Sequence, residues 1–137
     1  MSELRVVRAD DLDDRTAQTS GMLRRTAIDR QSVGSERLWV GVVTVKPATS
    51  TGAHHHGDCD SVVCVTAGRI TIRWGERLEK REEAGPGDFI FIPAQLVHQE
   101  INESESVAVA SIVIRSGDNI VENVVTADQL AEAERGG

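Results

Sequence analysis

The chain has 137 residues, a mass of 14.8 kDa, a formal net charge of −7 and a sequence pI near 5.0. This length fits one domain that buries a core of its own, and the acidic balance argues against a nucleic-acid or anionic-membrane partner. The sequence has no apolar stretch of membrane-spanning length and no apolar signal region after Met1, so we expect a cytoplasmic protein.

The first predicted segment is a polar N-terminal arm over residues 1–37, with a turn in the Asp-rich stretch 9–20. Short runs rich in Val, Ile and Thr follow it, separated by Gly, Pro, Asn or Asp. We predict strands at residues 38–45, 61–66, 69–74, 89–92, 107–114 and 120–125. Regular short strands of this kind favour an all-β sandwich or barrel over alternating strands and helices.

The C-terminal residues 118–137 are predicted to contain a strand followed by a helix. Thr126 is a candidate N-cap for a short helix over residues 127–135, which the final glycines end. No repeat, low-complexity tract or linker divides the chain. We therefore predict a single domain over residues 1–137, with a barrel core at about 38–115.

The predicted strands 61–66 and 107–114 are apolar on both faces, whereas a barrel needs only one apolar face per strand. Soluble monomers seldom leave a patch of this kind in water. We therefore predict a two-fold symmetric homodimer that buries the second faces. Alternatively, the N-terminal arm and the C-terminal helix cover them within one chain.

The four histidines of the chain are His54, His55, His56 and His98. Alternate side chains of an extended strand share a face, so His54 and His56 can point at one ion while His55 points away. His98 is the only other imidazole available as a third ligand. The residues therefore predict a metal site of the kind that suits zinc, iron or nickel, unless the histidine run is a solvated loop.

The residues around these histidines resemble the two motifs of the cupin superfamily. The first motif runs Gly, five residues, His-x-His, three or four residues, Glu, six residues, Gly, and the histidine pair is followed by Gly68 at the spacing of the last Gly. The second runs Gly, five residues, Pro-x-Gly, two residues, His, three residues, Asn. The residues that fit it are Gly87, Pro93, His98 and Asn102. The resemblance implies a cupin double-stranded β-helix (a jelly-roll barrel), here with a short C-terminal helix. It also implies one divalent ion (Fe, Zn, Ni or Mn).

Three positions depart from the family motifs. Ala48 and Gln95 stand where the family has Gly, both in loops. Ser61 stands at the position of the family's Glu, and a neighbouring Asp60 could turn inward only through a bulge. We therefore predict three His ligands, and keep open that Asp60 or Glu100 joins them, with Ser61 facing the metal without binding it.

The resemblance implies a metal-dependent enzyme that acts on a small organic molecule. A three-His centre without a carboxylate resembles the centres of several family dioxygenases, and this is the favoured activity. The alternatives are non-redox isomerase, cyclase or lyase chemistry, for example of the polyketide-cyclase type, and a non-catalytic small-molecule-binding or storage cupin. The sequence contains no Tyr, which disfavours the sugar epimerase activity of some cupins.

Three further residues are candidates for roles towards a substrate. Glu100 should share the face of His98 and is the candidate general base. Asn102, on that same face, is either a substrate-binding residue or the cap of the following turn. Arg73 is a candidate partner for a substrate carboxylate, although an outward surface role is open as well.

Overall fold

Eleven short strands, one short helix and one 3₁₀ turn make up the computed structural model, which describes residues 3–124. The 3₁₀ turn covers Ala9–Asp11 and the helix α1 covers Arg30–Val33. The strands are β1 (Met22–Ile28), β2 (Leu38–Val45), β3 (Thr49–Ser50), β4 (His54–His55), β5 (Ser61–Ala67), β6 (Ile70–Trp74), β7 (Lys80–Ala84), β8 (Phe89–Ile92), β9 (His98–Asn102), β10 (Val109–Ser116) and β11 (Glu122–Asn123).

The strands form two antiparallel sheets. The first has the order β1-β2-β10-β5-β8, and the second has the order β11-β4-β9-β6-β7, with β3 also paired to β9. Strands that are distant in sequence lie side by side, because the chain crosses repeatedly from one sheet to the other. The predicted all-β jelly-roll barrel is thereby confirmed.

The core lies between the two sheets and follows the alternation of side chains along each strand. In β2 the buried residues Trp39, Val43 and Val45 alternate with half-buried ones. One group of buried apolar residues consists of Val45, Val65, Ile70, Ile72, Ala84 and Val109. A second consists of Trp39, Val43, Val63, Ile92 and Val113. Burial of such a side chain contributes about 1.5–3 kcal/mol, so these two groups hold the sheets together.

Most predicted strands are confirmed, with small shifts at their ends. Strands β2 and β8 have the predicted bounds, β5 is one residue longer and β6 begins one residue later. Strand β10 lies two residues further along than the predicted 107–114, because Asn102 and Ser104 organise a turn before it. Of the predicted strand 120–125, residues 120–124 contain only the two residues of β11, and residue 125 lies outside the described residues.

The predicted N-terminal arm contains two elements that the sequence analysis missed. Strand β1 pairs with β2 along most of its length. It was missed because Arg24 occupies an inward-facing position at which an apolar residue is expected. Helix α1 is capped by Asp29, which exchanges hydrogen bonds with Ser32. The predicted C-terminal helix at 127–135 lies outside the described residues. In the part of the chain that is described, no helix has the length and apolar character needed to cross a membrane.

Candidate metal centre

Three buried histidines meet inside the barrel. His54 lies in β4 opposite His98 of β9, and His56 follows β4 directly. Their ring centroids lie 4.3–5.1 Å apart, and one candidate ligand nitrogen of each lies within 4.8 Å of the others. His55 is half-buried, and its Nδ1 accepts a hydrogen bond from the Gly57 backbone instead. The structure thus brings together the three predicted ligands and places His55 apart.

Each of the three rings is fixed by a hydrogen bond to the backbone. The Nδ1 atoms lie 3.0, 2.9 and 3.0 Å from the carbonyl oxygens of Gly52, Ile120 and Leu96, for His54, His56 and His98 respectively. A carbonyl can only accept, so Nδ1 carries the proton in each ring. The lone pairs are then left on the three Nε2 atoms, as in metal-binding histidines oriented by a second hydrogen bond.

The surroundings keep these imidazoles neutral. Burial lowers the pKa of His54 to about 2 and also lowers the pKa of His56 and His98. The next cause at His56 is the positive charge of Arg115, and at His54 it is the neighbouring His98. Neutral imidazole is the form that binds metal.

The arrangement fits a divalent ion. The buried Nε2 of His54 has no hydrogen-bond partner among the described residues, so a lone pair faces the cavity with nothing to satisfy it. Three converging neutral imidazoles are a donor set that suits zinc, iron or nickel and leaves coordination positions open.

Asp60 and Ser61 have opposite orientations at the start of β5. Asp60 is exposed, and its carboxylate accepts a hydrogen bond of 2.9 Å from the Ala94 backbone. Ser61 is buried and faces inward, and the β5–β8 pairing is regular at this point. The bulge that would turn Asp60 towards the metal is therefore absent from this pairing.

Glu100 lies on the same face of β9 as His98 and lines the same cavity as the three histidines. Its side chain is buried, and its Oε2 has no hydrogen-bond partner among the described residues. Its backbone is held by a hydrogen bond to Thr51 Oγ1. Glu100 is not one of the residues whose ligand atoms converge within 4.8 Å. It is a neighbour of the metal position with an uncommitted carboxylate oxygen.

The structure does not bring Asn102 or Arg73 to this cavity. The Asn102 amide nitrogen donates to three backbone carbonyl groups, and its oxygen accepts from Ser104, so the side chain organises the turn between β9 and β10. The Arg73 Nε donates a hydrogen bond of 2.7 Å to the Leu78 carbonyl on the outer face of β6.

Two buried arginines near the histidines were missed by the sequence analysis. Arg24 in β1 is 0% exposed and Arg115 in β10 is 2% exposed. Burial lowers the pKa of Arg24 to about 10 and that of Arg115 to about 9, which leaves both cationic near neutral pH. Alternate residues of β10 face inward, and Arg115 is one of them. This position could have indicated a buried arginine, but the predicted strand ended one residue before it.

The cavity around the histidines is small, at about 20 Å³, which is room for one ion or water. A larger cleft of about 670 Å³ adjoins it and shares the walls formed by Ile92 and His98. Trp74 and Leu96 contribute apolar surface to this cleft, and Glu82 lies along it. A cleft of this size can hold a small organic molecule.

A comparison with protein-family models identifies the family of this chain. Residues 41–115 match the family model described as the cupin domain. This match covers more than half of the chain, and the chain therefore belongs to the cupin family. No functionally curated protein matches the sequence.

Solved structures with this fold include several cupins. The polyketide cyclase RemF from Streptomyces resistomycificus has a TM-score of 0.68 and 22% identity, over 98% of this chain and 93% of that one. A sugar phosphate isomerase from Silicibacter pomeroyi has a TM-score of 0.63 and 20% identity, over 82% and 75%. KdgF from a Halomonas species has a TM-score of 0.60 and 16% identity, over 82% and 94%. At these identities the likeness establishes the fold.

Proposed function

We propose that this cupin is a metal-dependent enzyme that transfers a proton on a small carbonyl compound, in an isomerase, cyclase or lyase reaction. The observation that carries the proposal is the buried Glu100, whose Oε2 is uncommitted in the cavity lined by His54, His56 and His98. A divalent ion held by the three Nε2 atoms would polarise a carbonyl or enolate oxygen as a Lewis acid.

Glu100 is placed to accept a proton from the carbon next to such a carbonyl group. Its backbone is fixed on β9 and by Thr51, so the carboxylate cannot move far from the cavity. The Glu100 side chain is buried, with 7% exposure, which limits the access of bulk water to its carboxylate. The names of two structural neighbours, a polyketide cyclase and a sugar phosphate isomerase, agree with non-redox chemistry of this class.

Three-His oxygenase chemistry is the second candidate. It is favoured by the donor set, because Asp60 points away and Ser61 replaces the carboxylate that the cupin motif would supply. Iron content and oxygen consumption distinguish it from proton transfer.

The test begins with the metal content of protein purified without a metal-affinity column. The metal-loaded protein is then incubated in D₂O with a panel of 2-oxo acids and 1,3-dicarbonyl compounds, and deuterium incorporation is followed by NMR. We expect exchange with at least one compound, and a loss of about 10²-fold or more in Glu100→Gln with metal content unchanged.

Glu103→Gln is the matched control, because Glu103 is exposed after the same strand and pairs with Arg81 at the surface. This variant should retain the exchange rate. A wild-type protein without bound metal, or an exchange rate that is equal in Glu100→Gln, would contradict the proposal. Iron together with substrate-dependent oxygen uptake would favour the oxygenase candidate instead, and binding without any turnover would favour a non-catalytic cupin.

A further inference from the structure

We propose that the substrate of this site is an anion whose carboxylate, or an equivalent planar oxyanion, binds Arg115. The inference rests on the proposed function, since it takes the cavity of the three histidines as the substrate site. It follows from the charges buried around this cavity and from the way in which Arg115 is held.

The buried charges near the histidines do not balance. Arg24 and Arg115 are cations and Glu100 is the buried carboxylate, so the group carries one excess positive charge before any metal binds. The ion pairs found within residues 3–124 all lie at the surface, and none involves Arg24 or Arg115. A divalent ion would add two further positive charges. Because an uncompensated buried cation is costly, a bound anion would stabilise this site.

Arg115 is held as a rigid donor at the cavity wall. Its Nε donates to Asn119 Oδ1 at 3.0 Å and its Nη1 donates to Ser61 Oγ at 2.6 Å. Its guanidinium carbon lies 5.4 Å from the centre of the buried Trp39 ring. Within residues 3–124 the hydrogen bonds of the Arg115 guanidinium use Nε and Nη1, and none uses Nη2. A fixed planar guanidinium with a free donor is suited to a carboxylate.

Arg24 does not offer the same opportunity. Its Nη1 and Nη2 donate to the Ala17 carbonyl and to Thr19 Oγ1. Its buried Nε has no hydrogen-bond partner among the described residues, but Arg24 does not line the cavity. We therefore propose that Arg115 contacts the bound anion directly. Arg24 contributes only its positive charge at a distance. The rest of the substrate would extend into the larger cleft, which shares the walls formed by Ile92 and His98 with this cavity.

The experiment uses Co²⁺-loaded protein, whose visible spectrum reports changes around the ion. Acetate is the probe, and acetamide is its neutral counterpart of the same shape. We expect acetate to bind more tightly than acetamide, and Arg115→Gln to weaken acetate binding by at least about tenfold while still binding one Co²⁺ per chain. Arg69→Gln, at an exposed surface arginine, is the control and should bind acetate like the wild type.

Equal acetate affinity in wild type and Arg115→Gln, with Co²⁺ bound to both, would overturn this inference and leave the proposed function intact. If the wild type binds no Co²⁺, the proposed function fails. The inference is then judged on the metal-free protein, where acetate should raise the melting temperature of the wild type and not of Arg115→Gln.

If Arg115→Gln does not fold, Arg115→Lys is tested instead. It keeps the charge without the planar fork, and unchanged acetate binding there would also contradict the assignment.

Discussion

The Arg115 guanidinium donates a hydrogen bond of 2.6 Å to Ser61 Oγ in the interior of the barrel. Ser61 stands where the cupin motif has its metal-binding Glu. In this chain that position therefore holds the hydroxyl partner of a buried cation.

This relationship predicts the outcome of Ser61→Glu. A carboxylate at this position would lie beside Arg115 and form an ion pair with it, so we expect metal stoichiometry to stay unchanged. Acetate binding to the Co²⁺-loaded protein should fall by at least about tenfold, because the introduced carboxylate occupies the guanidinium. Ser61→Ala is the control and should retain most of the acetate affinity. A new Co²⁺ spectrum in Ser61→Glu without acetate would indicate instead that the carboxylate binds the metal.

The buried histidines predict that the metal-free protein loses stability in acid. Burial lowers the pKa of His98 in the folded state, whereas the unfolded chain keeps the ordinary value of 6.5. The unfolded state therefore binds more protons below that pH, and stability falls as the pH falls. We expect His98→Ala to reduce this slope at pH values below the ordinary histidine pKa of 6.5.

Urea denaturation at several pH values measures this slope, with His55→Ala as the control outside the cluster. His98→Ala should also lose stoichiometric metal while the barrel remains folded, and His55→Ala should retain the metal. A slope in His98→Ala equal to that of the wild type would contradict the neutral, buried state of this imidazole.

Backbone strain at Ala48 predicts a stabilising substitution. Ala48 has a φ of 53°, the left-handed region that favours glycine, and the cupin motif has Gly at this position. We expect Ala48→Gly to raise the free energy of unfolding by about 0.5–1 kcal/mol, since the relief of strain exceeds the added chain entropy. Ala94→Gly, at a loop residue without positive φ, should lower it. Denaturant unfolding measures both, and a destabilised Ala48→Gly would show that the strain is absent.

The outer surface of the first sheet predicts self-association. Its outer apolar face consists of two rows of three residues aligned across β10, β5 and β8, namely Ile112, Cys64 and Phe89 in one and Ile114, Val62 and Phe91 in the other. Phe89 is 73% exposed and Phe91 is 63% exposed. We propose that two copies pair across this face and bury at least about 1,000 Å² in total.

Light scattering at micromolar concentration should give twice the mass of the 14.8 kDa chain. Phe91→Lys should shift the protein to a monomer, because it places a charge within the proposed interface. Val107→Lys, at a half-exposed apolar residue away from the two rows, is the control and should remain dimeric. A wild-type mass near that of one chain would rule the dimer out.

Several strands and the histidine pair could be predicted from local spacing, whereas the jelly-roll barrel was implied by the resemblance to the cupin motifs. The alternation of side chains in β6 is visible in the residues, and His54 and His56 share a face for the same reason. The positions of Gly68, Pro93 and Asn102 then linked His98 to the pair across the chain.

The buried arginines could not be predicted because they occupy strand positions at which an apolar residue is expected. An inward-facing position in a barrel strand is normally apolar, so Arg24 concealed β1 and Arg115 appeared to follow the end of β10. The partners that stabilise the buried Arg115 come from distant parts of the chain, since Ser61 lies 54 residues earlier and Trp39 lies on another strand. Contacts between residues so far apart in the sequence cannot be recognised from a local pattern of residue types.

The rings of His54, His56 and His98 are oriented by main-chain carbonyl oxygen atoms, at Gly52, Ile120 and Leu96 respectively. A substitution at any of these positions changes a side chain and leaves the supporting carbonyl group in place. An insertion or deletion of one residue between β10 and β11 would instead displace the Ile120 carbonyl and release His56. The centre is therefore tolerant of changes in the identity of its supporting residues and intolerant of changes in loop length.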